Sequence, residues 1–336
     1  SLGLDWGFCI VGDHELLTEN GWKPFGAVKV GECIATLDPE ILDLEFQPIK
    51  RIEKHSGPHT VASFNSLNME IHVTPRHQIP VLRKGKLEFR TPQDINHHSA
   101  VLRSGGWLGN DWLRAEHLDW LRLISWYLAE GCTDKPYRVI ISQNPKGKHR
   151  REIEDLVKRL YPHAHSFSGY NINIWDRGLY NYVKPLGKQP VRYIPKELKE
   201  LPSSKLKIIL ECMMKGDGEE WKYKCRNLVK SKVWRYYTVS KRLADDVQEL
   251  AIKTGRSAWI KYRPDHDCYV VNFVSRRRYI DAKDFTIHKA DGLYGSVHVA
   301  NEIILVRFNG KPIFLHNIHP TVITAWEKQG ETLFAR

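Results

Sequence analysis

Two apolar stretches in the middle of the chain end on the same chemical step. Residues 118–130 (LDWLRLISWYLAE) carry apolar side chains at helical spacing and run into Gly131, a residue suited to closing a helix. Residues 206–215 (LKIILECMMK) repeat the pattern and run into Gly216-Asp217-Gly218. Each is followed by strand-like sequence and then by an amphipathic helix, over 150–160 in the first copy and 241–254 in the second. The acids Glu130 and Asp217 stand roughly 87 residues apart, too far for a solenoid unit and suited to two pseudo-symmetric halves of one domain.

The sequence on either side follows another pattern. Short apolar runs at 32–37 and 69–73 are separated by turn signals at Asn20-Gly21, Gly26 and Gly31. Runs at 302–306 and 313–315 flank Asn309-Gly310, a strong hairpin signal. With 336 residues the chain is long enough for more than one core. The expectation is an all-β domain interrupted by a mixed α/β domain over about 105–285.

Charge bears on partners. The formal net charge of +12 points to a polyanion, most often nucleic acid. From Lys222 to Arg242 there is no acid, and Lys222, Lys224, Arg226, Lys230, Lys232, Arg235 and Lys241 alternate with Trp221, Trp234, Tyr236 and Tyr237. Arg276, Arg277 and Arg278 form a second cluster, and Lys146, Lys148, Arg150 and Arg151 a third. On a β-ribbon such residues neutralise phosphates and read base edges. The six cysteines lie far apart with no CxxC pair, which argues against a zinc ribbon and a disulfide framework. No apolar run approaches the length of a membrane span, and no secretory leader is visible, so the expected setting is cytoplasmic.

Cys9 is followed by a hydrophobic residue, Gly12-Asp13-His14 and Gly21-Trp22; Thr74-Pro75-Arg76-His77 comes downstream, and the second β-region closes on Phe314-Leu315-His316-Asn317. These motifs, in this order, resemble those of the intein (Hint-fold) family over about 9–104 and 286–317. The resemblance implies an all-β, horseshoe-shaped splicing domain. It assigns the first acyl shift to Cys9, with Thr74 donating to the carbonyl of residue 8 and His77 protonating the departing nitrogen. Asn317 would then cyclise with help from His316. A thiol suits the first role because a few per cent is thiolate near neutrality, and a positioned acid or base adds roughly 10²–10⁴-fold. One residue departs from the pattern. Position 318 is Ile, with no nucleophilic atom, where the family needs Cys, Ser or Thr. Both cleavages are therefore expected without ligation. Ser296, with His298 nearby, aligns where many members carry an Asp or Cys.

The acid–glycine steps Leu128-Ala129-Glu130-Gly131 and Lys215-Gly216-Asp217-Gly218, with the later segment LADDVQEL, resemble the two-motif LAGLIDADG homing endonucleases. The resemblance implies an α+β domain of two αββαββα halves. The helices would pack at a pseudo-twofold axis and bring Glu130 and Asp217 together as Mg²⁺ ligands at the base of a DNA-binding saddle. The metal would activate water and offset phosphate charge. The implied partner is a long asymmetric double-stranded DNA target, the host gene lacking the insert, cut by a monomer; Lys232 is a candidate helper at the cleavage centre.

Residues 1–8 and 318–336 would be remnants of the host. Joined, they resemble the nuclease domain of phage terminase large subunits, with Asp5 at a metal-binding position. Two alternatives stay open: a homing endonuclease whose splicing domain is dead, and a DNA-binding protein with an inactive nuclease. Hedgehog-like autoprocessing fits less well, because it does not need a terminal His-Asn pair.

Overall fold

The computed structural model describes residues 9–225 and 228–317, without side chains over 221–233. The chain divides into two units, one built from the segments Ser1–Gly106 and Ser275–Arg336, the other from Trp107–Val274. The fold is mixed and sheet-rich, with few helices.

In the first unit, alternation and turn chemistry set the sheets. Ile10–Val11, Thr286–His298, Arg51–Ser66 and Met69–Val73 close a small barrel. A second sheet runs in the order Lys311–His316, Ile303–Phe308, Glu15–Thr18, Cys33–Leu37, Leu44–Pro48, with Gly21–Pro24 paired to Glu15–Thr18. Asn309 and Gly310 both take positive φ, 47° and 75°, the mirror-image turn that the right-handed twist of a tight hairpin requires. The inward positions, Ile10, Leu16, Ile34, Val73, Val297, Val306 and Leu315 among them, form one apolar core. A third sheet has the order Arg277–Ile280, Ser99–Leu102, Ile79–Arg83, Lys86–Arg90.

That third sheet moves a boundary. Arg277–Ile280 pairs antiparallel with Ser99–Leu102, so residues 275–285, counted with the middle domain from sequence, belong to the first unit. Arginines clamp the two points where the chain leaves and re-enters. Arg103 donates to the carbonyls of Ser275 and Asn68, and Arg276 donates to those of Ser104 and Leu42.

The second unit is built twice. Helix α1 (Leu118–Glu130) leads into strands Gly131–Thr133 and Arg138–Ser142, helix α2 (Arg150–Leu160), and strands His165–Ser168 and Asn171–Trp175. Short helices α3 (Arg177–Val183) and α4 (Lys196–Lys199) connect to helix α5 (Ser203–Gly216). There the pattern repeats with strands Gly218–Cys225 and Leu228–Thr238, helix α6 (Lys241–Lys253), and strands Ser257–Arg263 and Cys268–Val274. Both four-stranded sheets have their strands in the same order: first, second, fourth, third. α1 packs on α5, and the apolar faces of both sheets and of α1, α2, α5 and α6 share one core. Among the described residues no helix is long and apolar enough to cross a membrane.

Candidate functional site

In the first unit, both ends of the described chain run to one buried place. Cys9 is buried and its backbone N–H donates to Thr74 Oγ1 at 3.1 Å, while the Thr74 N–H donates back to the Cys9 carbonyl at 3.1 Å. The turn Thr74-Pro75-Arg76-His77 closes when the His77 N–H donates to the Thr74 carbonyl at 2.9 Å. It sets the His77 ring beside the Cys9 backbone. Neither His77 ring nitrogen has a hydrogen-bond partner among the described residues. Burial, helped by the nearby His316 and His14 rings, lowers its pKa to about 3, so at neutral pH the imidazole is uncharged. The sequence expectation had Thr74 donating to the carbonyl of residue 8; in the structure its oxygen accepts from the amide of residue 9.

The other end arrives through the next residue of the turn. His316 donates its backbone N–H to the carbonyl of Gln78 at 3.2 Å. The Asn317 N–H donates to the Glu302 carbonyl at 2.6 Å, and its side-chain Nδ2 donates to the Val297 carbonyl at 2.9 Å. Asn317 is fully buried and its Oδ1 has no partner among the described residues. Ser296 and His298 flank that carbonyl and bond each other, Oγ to Nε2, at 3.0 Å. His316 is buried against the Phe89 ring at 3.9 Å, and burial lowers its pKa to about 4. His14, which the sequence reading used only as part of a motif, is fully buried. Its Nδ1 donates to the Val11 carbonyl at 2.6 Å, and its pKa is lowered to about 4 by burial.

In the second unit, α1 and α5 meet at their acid ends. A Cβ added to Gly216 would lie 2.7 Å from Ala129 Cβ and 3.2 Å from Glu130 Cγ; only glycine lets the backbones come this close. Gly131 is extended, with φ −90° and ψ 155°, rather than left-handed. Its missing side chain makes room for the ring and carbonyl of Tyr127. Asp217 forms the C-cap of α5, and the Tyr236 hydroxyl donates to its Oδ2 at 3.5 Å. Burial and the Glu130 charge push the Asp217 pKa up to about 7, and burial also raises that of Glu130. Gln143 Nε2 donates to Glu130 Oε1 at 3.5 Å.

Sequence reasoning missed Arg192. It is buried, and its guanidinium donates to the carbonyls of Tyr127, Leu128, Ala129 and Gly131. It thereby supplies the partners that the last turn of a helix lacks. Arg192 comes from the loop before α4 and belongs to no local motif, so nothing in the sequence around it signals this role. Its carbonyl in turn accepts from Ser240 Oγ, the N-cap of α6.

Two nearby carboxylates with raised pKa values are oxygen donors short of positive charge, which suits a hard divalent cation that completes its shell with water and phosphate. Among the described residues no group of three or more His, Cys, Asp or Glu is arranged to hold a metal by itself.

The basic residues divide. Lys222, Lys224, Lys230 and Lys232 lie on the hairpin Gly218–Cys225/Leu228–Thr238, where Lys222 pairs with Lys232, but their side chains, and Arg226 altogether, lie outside the described residues. Arg235 is half-buried beside Tyr237, and Lys241 pairs with Asp245 one turn along α6. Arg276, Arg277 and Arg278 fall in the first unit rather than on the middle domain, with Arg276 spent on carbonyls and Arg278 on Asn68 Oδ1. Arg150, from the third cluster, is buried and binds Glu154 and the carbonyls of Gln143 and Tyr170. Asp5, Ile318 and the flanks 1–8 and 318–336 lie outside the described residues.

No protein-family model matches the chain. Among curated proteins it is 22% identical over 301 residues to an ATP-dependent Clp protease proteolytic subunit of Chlamydomonas moewusii, covering 75% of this chain. It is 23% identical over 312 residues, 74% of this chain, to the C-terminal section of a DNA-directed RNA polymerase subunit beta of Stigeoclonium helveticum. The chain spans only 28% of the length of each of these relatives. Similar solved structures include I-DmoI in complex with DNA and Mn, at TM-score 0.35 and 14% identity, covering 48% of this chain and 91% of that one. An AceL NrdHF class 3 split intein matches at TM-score 0.37 and 7% identity, over 93% of this chain and 99% of that one. An intein-like domain from Clostridium thermocellum matches at TM-score 0.25 and 16% identity, over 29% of this chain and 67% of that one.

Proposed function

We propose that this chain is an intein, excising itself between Cys9 and Asn317, with a LAGLIDADG homing endonuclease carried in its middle unit. The observation that carries the reading is that the Thr74–His77 turn holds the Cys9 backbone while Gln78, the next residue, holds His316 beside the buried Asn317. The two curated relatives add support. Their names denote unrelated activities, yet each aligns with about three quarters of this chain and has most of its own length unmatched. A segment carried by unrelated hosts gives that pattern.

The chemistry follows from the geometry. Thr74 Oγ1 holds the nitrogen of the bond to be broken, and a neutral His77 can take the Cys9 thiol proton and return it to that nitrogen as the acyl group moves to sulfur. At the other end, the Val297 carbonyl holds the Asn317 side-chain nitrogen. That nitrogen then closes on the Asn317 carbonyl carbon and releases the chain beyond it. With Ile at 318, no side chain can accept the acyl group from Cys9, so ligation stops.

In the middle unit, Glu130 and Asp217 would hold a divalent cation such as Mg²⁺, which when bound lowers the pKa of water and offsets phosphate charge. The chain's own part is to hold the two carboxylates at the α1–α5 contact. The paired strands after each helix, most basic over 222–242, would lie along double-stranded DNA, and the host gene without the insert is the target this reading names.

Incubating the purified chain with a thiol and resolving the products by mass tests the splicing reading. Cleavage before Cys9 and after Asn317 is expected, with no product joining 1–8 to 318–336; Ile318→Ser is expected to yield that product. Ligation by the unaltered chain, or no cleavage at either end, would overturn the reading.

A further inference from the structure

Glu302 occupies the tight turn between Thr286–His298 and Ile303–Phe308. Its φ is +57°, a left-handed conformation that Gly and Asn adopt more readily than Glu. Despite that, this one residue touches both members of the terminal pair. Its backbone carbonyl accepts the Asn317 N–H at 2.6 Å, and its Oε2 lies 3.7 Å from His316 Nε2. His316 also meets the Phe89 ring, the Gln78 carbonyl at its backbone, its strand partner Ile303 and the His77 ring. Lys50 is the charged group that faces Glu302, whose pKa burial raises.

His316 Nδ1 is buried and has no partner among the described residues. A neutral imidazole carries one ring hydrogen, and a carboxylate beside Nε2 draws it to that atom, leaving the lone pair on Nδ1. We propose that Glu302 is a positioning residue for the cyclisation of Asn317, fixing the His316 tautomer so that Nδ1 serves as the base. This rests on the splicing reading above. Asn317 Nδ2 bonds to its own carbonyl carbon while His316 Nδ1 takes the proton that Nδ2 sheds. The bond to the nitrogen of residue 318 breaks, and that nitrogen leaves with the proton returned from His316. The products are a C-terminal succinimide and an amine, with no net change in protons.

The full chain carrying Glu302→Gln, Glu302→Asn or Glu302→Asp would be compared with the unaltered chain, with release of 318–336 and thiol-induced cleavage before Cys9 measured separately. The Gln and Asn variants are expected to slow release of 318–336 by at least about tenfold. The Asp variant should keep most of the rate, and cleavage before Cys9 should stay unchanged in all three. In the unaltered chain, release should fall first as pH drops through the Glu302 carboxyl, raised above its usual value by burial, and again as His316 protonates at about 4; the Gln variant should keep only the lower, histidine limb. A purely structural turn residue predicts the opposite order, because Asn suits the left-handed turn better than Glu. Normal release by the Asn or Gln variant would overturn this inference alone. An unaltered chain that cleaves at neither end would overturn the splicing reading, and this inference with it.

Discussion

Asp217 shows how one buried carboxyl costs stability where the proposed chemistry needs it. Its pKa is raised to about 7 by burial and by Glu130, against about 3.9 in an unfolded chain. Between those values the unfolded carboxyl has already released its proton and the folded one has not, so stability falls as pH rises through that window. Asp217→Asn removes the titration. We expect it to abolish DNA cleavage, leave DNA binding, and cancel this fall; the checks are a nicking assay, a binding assay and thermal unfolding from about pH 4 to pH 7. Unchanged cleavage would remove Asp217 from the mechanism. The acid itself was legible because an acid–glycine step recurs at the ends of two matching helices. Arg192 was not, because a guanidinium that caps a helix from a distant loop depends on tertiary approach alone. Glu302 was missed for another reason: the hairpin at Asn309-Gly310 that brings it to His316 was legible, but the register of that pairing was not.

At the scale of elements, apolar periodicity located α1 and α2 as they stand and placed α5 within three residues at its start. It could not show how closely α1 and α5 approach, which Gly216 decides. Helix propensity alone favours alanine over glycine by about 1 kcal/mol. A new Cβ 2.7 Å from Ala129 Cβ instead overpacks the contact, at a typical cost of about 1–3 kcal/mol. Gly216→Ala should therefore lower the thermal stability of the middle unit and, by moving Glu130 away from Asp217, reduce DNA cleavage more than DNA binding. A variant more stable than the unaltered chain would show that propensity wins and that the helices can shift. Gly131 teaches a related lesson. Its place after the helix marked it as a closing residue, and the structure uses it in extended form for the space beside Tyr127.

For the whole molecule, composition and periodicity gave a β–α/β–β order, but the second boundary lay about ten residues too late. The strand Arg277–Ile280 follows the middle unit in sequence and belongs by pairing to the first; a short basic run holds no sign of which sheet will claim it. Because Ser99–Leu102 and Arg277–Ile280 are direct neighbours, the middle unit is a very long loop between two strands of one sheet. Closing a loop costs only about 0.6 kcal/mol per doubling of its length. Replacing 107–274 with a short turn should thus leave a folding first unit that still cleaves before Cys9 with thiol and no longer cuts DNA. A version that folds without cleaving would show that the middle unit helps build the splicing site.

The same neighbouring strands, clamped by Arg103 and Arg276, also set a clock. During synthesis the segment bearing Cys9 leaves the ribosome soon before Met69–Val73 but long before Thr286–His298, its other strand partner, because the middle unit intervenes. At roughly 5–20 residues per second, the chain between Ile10 and its partner Gly295 takes on the order of fifteen to sixty seconds to appear. Through that time Ile10, next to Cys9, lacks its partner Gly295, and His77 lacks His316. On the splicing reading proposed above, the Asn317 step must wait for the strands that hold its side chain and backbone, at Val297 and Glu302, so the order of translation holds back release of the far end until the element is whole.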